Sequence, residues 1–178
     1  MSWRVIDAKW DGIRDAFAEF EPTLVADYGQ DDVEMKPYFK MSQTISRPVD
    51  EVFATVIRLD EFPRWSPRNP WAKKLTPGDI GGGTRFQMGI KGFGKVTNEL
   101  REFESNKRVM VAPLSSMLEG GHRWIFTGLG NGMTRIDHEL EMRPKGLYKL
   151  MGPMLRSSGV KTVKETAAAL QRYLEREA

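Results

Sequence analysis

The sequence predicts an α+β fold. A curved, seven-stranded antiparallel sheet wraps a long C-terminal helix, and two short helices follow the first strand. Three observations predict this. An alternating run, with Phe39, Met41, Gln43 and Ile45 on one side, meets Ser46-Arg47-Pro48 and turns into an amphipathic helix. A Phe62-Pro63-Arg64-Trp65-Ser66-Pro67 corner comes next, and beyond it the chain shows only strand-like alternation and turn signals up to Pro144. The chain then closes on one long helical pattern.

The elements follow in order. Residues 2–20 place Trp3, Ile6, Trp10, Ile13, Phe17 and Phe20 at steps of three and four, which predicts an extra N-terminal helix with one apolar stripe. So much aromatic area calls for a cover, either the chain's own domain or a second copy in a homodimer. A membrane-surface helix fits less well, because its polar face is acidic. Glu21-Pro22 ends this helix, and a connector runs to residue 36. Strand 1 is expected over Tyr38–Ile45. A helix follows over Pro48–Leu59, capped by Ser46 or Asp50, with Val49, Val52, Phe53, Val56 and Ile57 inward. A short helical turn covers Asp60–Trp65.

Strands are then expected over Ala72–Thr76, Thr84–Ile90, Lys95–Phe103, Arg108–Leu114, Gly121–Thr127 and Met133–Arg143. Leu100 and Phe103 differ in parity, which suggests a bulge in the fourth. Gly130-Asn131-Gly132 is a strong hairpin signal for the last pair. Alternation turns Thr134, Ile136, His138, Leu140 and Met142 to one face, and it groups His122, Trp124 and Phe126. Glu99, Arg101, Asp137 and Glu139 fall on outer faces. The terminal helix starts after Pro144 and is expected to be kinked or interrupted at Gly152-Pro153. It carries a loose Ser157-Ser158-Gly159 stretch, then Val160, Val163, Ala167, Leu170 and Leu174. This is a helix-grip arrangement, with residues 1–36 as a helical extension and 37–178 as a ligand-binding domain. A bent sheet cannot lie flush on a straight helix along its whole length, so a cavity is expected between them.

The chain resembles the START-like, Bet v 1-like superfamily, also labelled SRPBCC or polyketide cyclase/dehydrase. Ile45-Ser46-Arg47-Pro48-Val49-Asp50-Glu51-Val52-Phe53, Trp65-Ser66-Pro67, Gly83-Thr84-Arg85-Phe86, Gly130 to Ile136 and the closing helix carry the resemblance. It covers about Tyr38 to Leu174; residues 1–36 have no counterpart in it. The resemblance implies that the domain binds, carries or senses hydrophobic ligands.

Composition narrows the function further. With 178 residues, 40% hydrophobic and 29% charged, the chain reads as an ordinary globular protein. It has no cysteine, which excludes disulfides, thiolate catalysis and cysteine metal sites and suits a reducing compartment. Arg4, Asp7, Lys9 and Asp11 interrupt any apolar signal core, and the expected location is cytoplasmic. Residues 1–36 hold 4 basic and 9 acidic side chains, whereas residues 143–178 hold 8 basic and 3 acidic ones. Lys145, Lys149, Arg156, Lys161 and Lys164 are interleaved with core positions, without a nucleic-acid motif, so no nucleic-acid partner is expected.

Gly89 to Lys95 has the spacing of a phosphate-binding loop, but Val96 stands where Ser or Thr is needed and a strand follows, so it reads as a hairpin turn. Two histidines sixteen apart supply no metal site, and no cofactor is expected. The expected cavity lining is Met41, Gln43, Phe86, Met88, Asn98, Leu100, Trp124, Phe126, Ile136, Met151 and Leu155, with His138 as polar anchor or general acid/base. Equally, the apolar members could fill the interior as plain core. The first expectation is carriage or sensing of an apolar or aromatic small molecule. An alternative is a cyclase/aromatase- or dehydrase-type enzyme with His138 as catalyst, weakened because no second ionisable group is expected on the inner faces. Another is an interaction module docking through the N-terminal helix.

Overall fold

The computed structural model describes residues 37–146, 149 and 152–176; for Met154 and Leu155 it describes the backbone alone. The expected N-terminal helix and connector, Leu147 and Met151 lie outside the described residues. The described elements are β1 (Phe39–Ile45), α1 (Val49–Ile57), a 3-10 helix (Leu59–Arg64), β2 (Ala72–Lys74), β3 (Arg85–Ile90), β4 (Gly94–Glu104), β5 (Arg108–Pro113), β6 (Leu118–Gly130), β7 (Met133–Pro144) and α2 (Gly152–Arg176). The strands form one antiparallel sheet in the order β1-β7-β6-β5-β4-β3-β2. This is the helix-grip arrangement.

The first strand and the second lie on opposite edges of the sheet. The connection between them therefore crosses a sheet face, and α1 and the 3-10 helix lie along that crossing. Val52, Phe53 and Val56 are the buried face of α1, at the expected helical spacing. The expected Ser46 or Asp50 cap is not made: Pro48 itself holds the N-cap position, with no side-chain cap bond. Its carbonyl accepts from Val52 N at 3.1 Å, and Asp50 and Glu51 complement the positive end of the helix dipole.

The bulge signalled by Leu100 and Phe103 is present. The β4–β5 register shifts between Arg101 and Glu104, and Glu102 takes φ 47°. The extra residue keeps both apolar side chains inward: Leu100 is fully buried, and Phe103 meets Phe53 edge-on at 5.5 Å. The Gly130-Asn131-Gly132 turn has φ of 78°, 52° and 71°, which glycine and asparagine tolerate and β-branched residues do not. Gly89 to Lys95 closes β3 and opens β4, as the hairpin reading requires.

One boundary differs from expectation. The sixth strand extends to Leu118 at its start, because Leu118–Gly120 find partners in Pro144–Met142. The long α2 is described from Gly152 onward; Met151, just ahead of it, lies outside the described residues, and with it the expected kink or interruption at Gly152-Pro153.

Outer-face charges pair among themselves. Glu99 meets Arg85 at 2.9 Å and Arg101 at 3.0 Å. Asp137 meets Arg135 at 2.8 Å, and Glu139 meets Lys40 at 2.6 Å. Arg123 binds Glu102, Glu139 and Glu141, and those carboxylates hold its guanidinium even more firmly charged than usual. No helix among the described residues is long and apolar enough to cross a membrane.

Candidate functional site

The inner face of the sheet divides along a line that crosses the strands. On one side Phe86, Leu100, Phe126 and Ile136 join α1 and Leu170 and Leu174 of α2 in a packed core. Two residues further along each strand, on the same face, stand Met88, Asn98, Trp124 and His138. These border a cavity of about 330 Å³, near the lower end of the usual range for small-molecule sites.

The opposite wall explains the void. There α2 presents Ser158, Gly159, Thr162 and Thr166, all small, along the cavity. Gly159 lets the helix approach the sheet closely: a Cβ there would lie 2.7 Å from Leu140 Cδ2 and 2.8 Å from Tyr38 Oη. The helix is thus held in tightly at one level, yet sends no bulky side chain from these positions into the space beside it.

The polar groups of the cavity come from three places. Neighbouring strands β6 and β7 set His122 beside His138, with His122 Nδ1 3.1 Å from His138 Nε2. Trp124 stacks on His138 with centroids 3.7 Å apart and planes 21° apart. His138 Nδ1 is buried without a hydrogen-bond partner. A buried orphan N–H is costlier than a buried lone pair, so the favoured tautomer places the proton on His138 Nε2, donating to His122 Nδ1. Burial pushes the His122 imidazole down to about 4. His138 is likewise well below the ordinary histidine value, through burial first and the neighbouring His122 second. Both rings are therefore neutral at pH 7.

Asn98, on β4, is 7% exposed and turns toward the cavity, whose wall it joins. The third source is the loop after Trp65. Ser66 Oγ donates to Asn69 Oδ1 at 2.7 Å, and Asn69 Nδ2 donates to Gly89 O at 3.2 Å, pinning the loop to β3. Arg68 is thereby fixed on the wall, with one nitrogen 3.1 Å from Glu165 and its Nε buried without a partner. Lys91 and Arg156 also border the space, and no carboxylate does among the described residues. No three metal-ligating side chains converge among the described residues.

Of the expected lining, the structure brings Met88, Asn98, Trp124 and His138 together on the wall. Met88 and Trp124 belong to the packed core as well as to the wall, whereas Phe86, Leu100, Phe126 and Ile136 sit in the core away from the wall, on the correct face but at the wrong level. Met41 and Gln43 are half-buried on the edge strand β1 and off the wall, and Gln43 Nε2 is buried without a partner. Met151 and the Leu155 side chain fall outside the description. Trp65 packs on Phe62 at 4.4 Å in the core.

Sequence reasoning missed Arg68, Asn69, His122 and the small residues of α2. A second ionisable group does converge on His138, contrary to expectation. The signal was present: His122 stands two residues before Trp124 on one strand, hence on the same face. Arg68 left no such signal, because a loop has no period.

A profile of the family described as "Polyketide cyclase / dehydrase and lipid transport" matches residues 37–175. Among solved structures, a START superfamily protein from Mycobacterium smegmatis is similar, with TM-score 0.66 and 14% identity, over 79% of this chain and 98% of that one. The Zhui aromatase/cyclase from Streptomyces is similar with TM-score 0.63 and 15% identity, over 78% of this chain and 93% of that one. The di-domain aromatase/cyclase StfQ of the steffimycin biosynthetic pathway gives TM-score 0.58 and 17% identity; the match covers 78% of this chain but only 45% of StfQ. No curated protein matches the sequence. At these identities the structural likenesses establish the fold.

Proposed function

The chain belongs to the polyketide cyclase/dehydrase and lipid transport family, and from that premise we propose that it binds an apolar or aromatic small molecule in its cavity, as a carrier or sensor. The observation that carries this reading is the wall itself. Trp124, Met88, Ile90, Val96 and Val111 supply apolar surface, Asn98 adds an amide to the wall, and the Arg68 Nε and His138 Nδ1 are buried without protein partners. A ligand with an apolar body and one or two oxygens would satisfy both. Removing its apolar surface from water supplies affinity, at about 25 cal/mol per Å², and the polar groups fix its orientation. The ligand acts in the cytoplasm under this reading.

A second reading, cyclase or dehydrase chemistry, is favoured by the His122–His138 pair inside the same space. His138 or His122 would take a proton from a carbon beside a ketone held at Arg68. Carriage ranks first because an imidazole pushed down to about 4 is a weak base at pH 7.

Native mass spectrometry of the purified full chain tests the first reading. The expected result is an added mass that extracts into organic solvent, or uptake of an aromatic or fatty-acyl probe. Asn98→Leu should weaken a ligand that carries an oxygen by about tenfold, or about 1.4 kcal/mol. A chain that flies at its bare mass and takes up no apolar probe would sink the proposal. Turnover of a poly-ketone by the wild type, lost in His138→Ala with binding retained, would move the assignment to the enzyme.

A further inference from the structure

One end of the sheet gathers features that neither the core nor the cavity explains. There β3 passes into β4 through residues 91–93, β5 into β6 through residues 114–117, and β7 runs out at Pro144 before α2 begins. Antiparallel pairing puts these connections at the same end. Trp71, just ahead of β2, is there too, since its carbonyl accepts from Gly89 N at 3.0 Å. The cavity reaches this end: its wall includes Lys91, Gly92 and Phe93 of the first turn, Pro113 and Leu118 of the second, and Pro144.

Four large apolar side chains are exposed at this end: Phe93, Leu114 and Met117 on the turns beside the opening, and Trp71 over Gly89 on the outer face of the sheet. Phe93 is 52% exposed, Trp71 42%, Met117 38% and Leu114 37%. They sit on three segments, with Leu114 and Met117 sharing the β5–β6 connection, so no single amphipathic element accounts for them. Cations are interspersed: Lys91, Lys95, Lys145, Lys149 and Arg156 are all exposed. Among the described residues of these connections and their flanking strand ends, Glu119 is the solvent-facing carboxylate, and Lys145 pairs with it at 3.4 Å. Among the described residues the remaining cations form no ion pair at this end, although Arg156 also lies 5.4 Å from the Tyr38 ring centroid.

We propose that this end docks on the surface of an anionic lipid bilayer, with the opening of the cavity facing the lipid. The lysines would lie at the level of the head groups, and Trp71, Phe93, Leu114 and Met117 would enter the boundary between head groups and chains. Aromatic and long aliphatic side chains tipping several loops, with lysines between them, complement a surface that is charged outside and apolar just beneath. An acidic protein would match the charges. It would leave four apolar side chains on three segments in need of matching pockets. A bilayer needs no such pockets. Docking of this kind would let an apolar molecule pass between lipid and cavity without crossing water. The surface chemistry carries the assignment whatever fills the cavity, so vesicle binding can be read without a ligand.

The test is co-sedimentation of the full chain with vesicles of phosphatidylcholine alone and with vesicles containing about one third phosphatidylglycerol. The expected result is binding at least about tenfold tighter to the anionic vesicles, weakening as salt rises. Two double variants off the cavity wall probe the two components. Lys95→Glu with Lys149→Glu should lower anionic-vesicle binding by about tenfold or more, since each lysine near such a surface contributes a several-fold effect. Leu114→Ser with Met117→Ser should lower binding to both vesicle types. These side chains are exposed, so unchanged melting temperatures should accompany both variants. No binding to anionic vesicles, or binding that survives both double variants, would overturn the proposal. Retention on immobilised polyglutamate in place of vesicles, insensitive to the Leu114/Met117 variant, would assign the face to an acidic protein and overturn it equally.

Discussion

On β6, Phe126 and Trp124 are two residues apart on the same face, yet they meet different surroundings. Phe126 packs edge-on against Phe53 of α1 at 5.2 Å, whereas Trp124 lies against a neutral histidine and borders open space. The same step separates Leu100 from Asn98, Ile136 from His138, and Phe86 from Met88. The sheet does not cause the difference, because each strand runs unbroken through both halves. What lies on the sheet causes it. The packed half is covered by Val52, Phe53 and Val56 of α1 and by Leu170 and Leu174 of α2. Over the hollow half, α2 offers Gly159, Thr162 and Thr166. The packed half thus supplies stability, and the hollow half keeps buried polar groups that cost stability and that the proposed ligand would bond.

Three experiments can break or sharpen that contrast. The largest effect belongs to the packed half. Phe126→Ala should cost about 3–5 kcal/mol in denaturant unfolding, because Phe53 and Ile136 cannot close on the space left behind. A loss below about 1 kcal/mol would mean that this half is no better filled than the other.

The next effect comes from the histidines of the hollow half. Folding lowers the His122 value from its ordinary 6.5 to about 4, so the unfolded chain binds more protons between those limits. Stability is therefore fully present above pH 6.5 and is lost as pH falls toward 4, by on the order of 2–3 kcal/mol. His138 shifts in the same direction and adds to the loss. In His122→Leu the fall of melting temperature over this range should be visibly shallower. An unchanged slope would show that His122 is hydrated in the folded state.

The smallest change in stability, and the most telling about function, is Thr166→Leu. A leucine on that wall should fill part of the cavity and gain about 0.5 kcal/mol through better helix propensity. Binding of an apolar probe should drop by about tenfold, or about 1.4 kcal/mol. Stability gained with binding intact would place the ligand elsewhere.

Much of this was legible in the residues. Period-2 alternation placed His138, Trp124 and Asn98 on the inner face and Glu99, Asp137 and Glu139 on the outer one. The odd spacing of Leu100 and Phe103 announced the bulge that keeps both inside. The Gly-Asn-Gly turn fixed the last hairpin. Legibility failed for Phe86, Leu100, Phe126 and Ile136, which look on paper like their neighbours two residues away. It failed again for Arg68, whose place depends on Asn69 bonding to Gly89 across the chain.

The sequence alone determined the order of the elements, the face to which each strand residue points and the residue types available to line a cavity, because side-chain direction in a strand follows from local backbone geometry. Only the tertiary structure decided at which level along the strands the interior is filled and at which it is left open. That depends on where α1 and α2 cross the sheet and which of their side chains meet it there, and no strand carries that information in its own pattern.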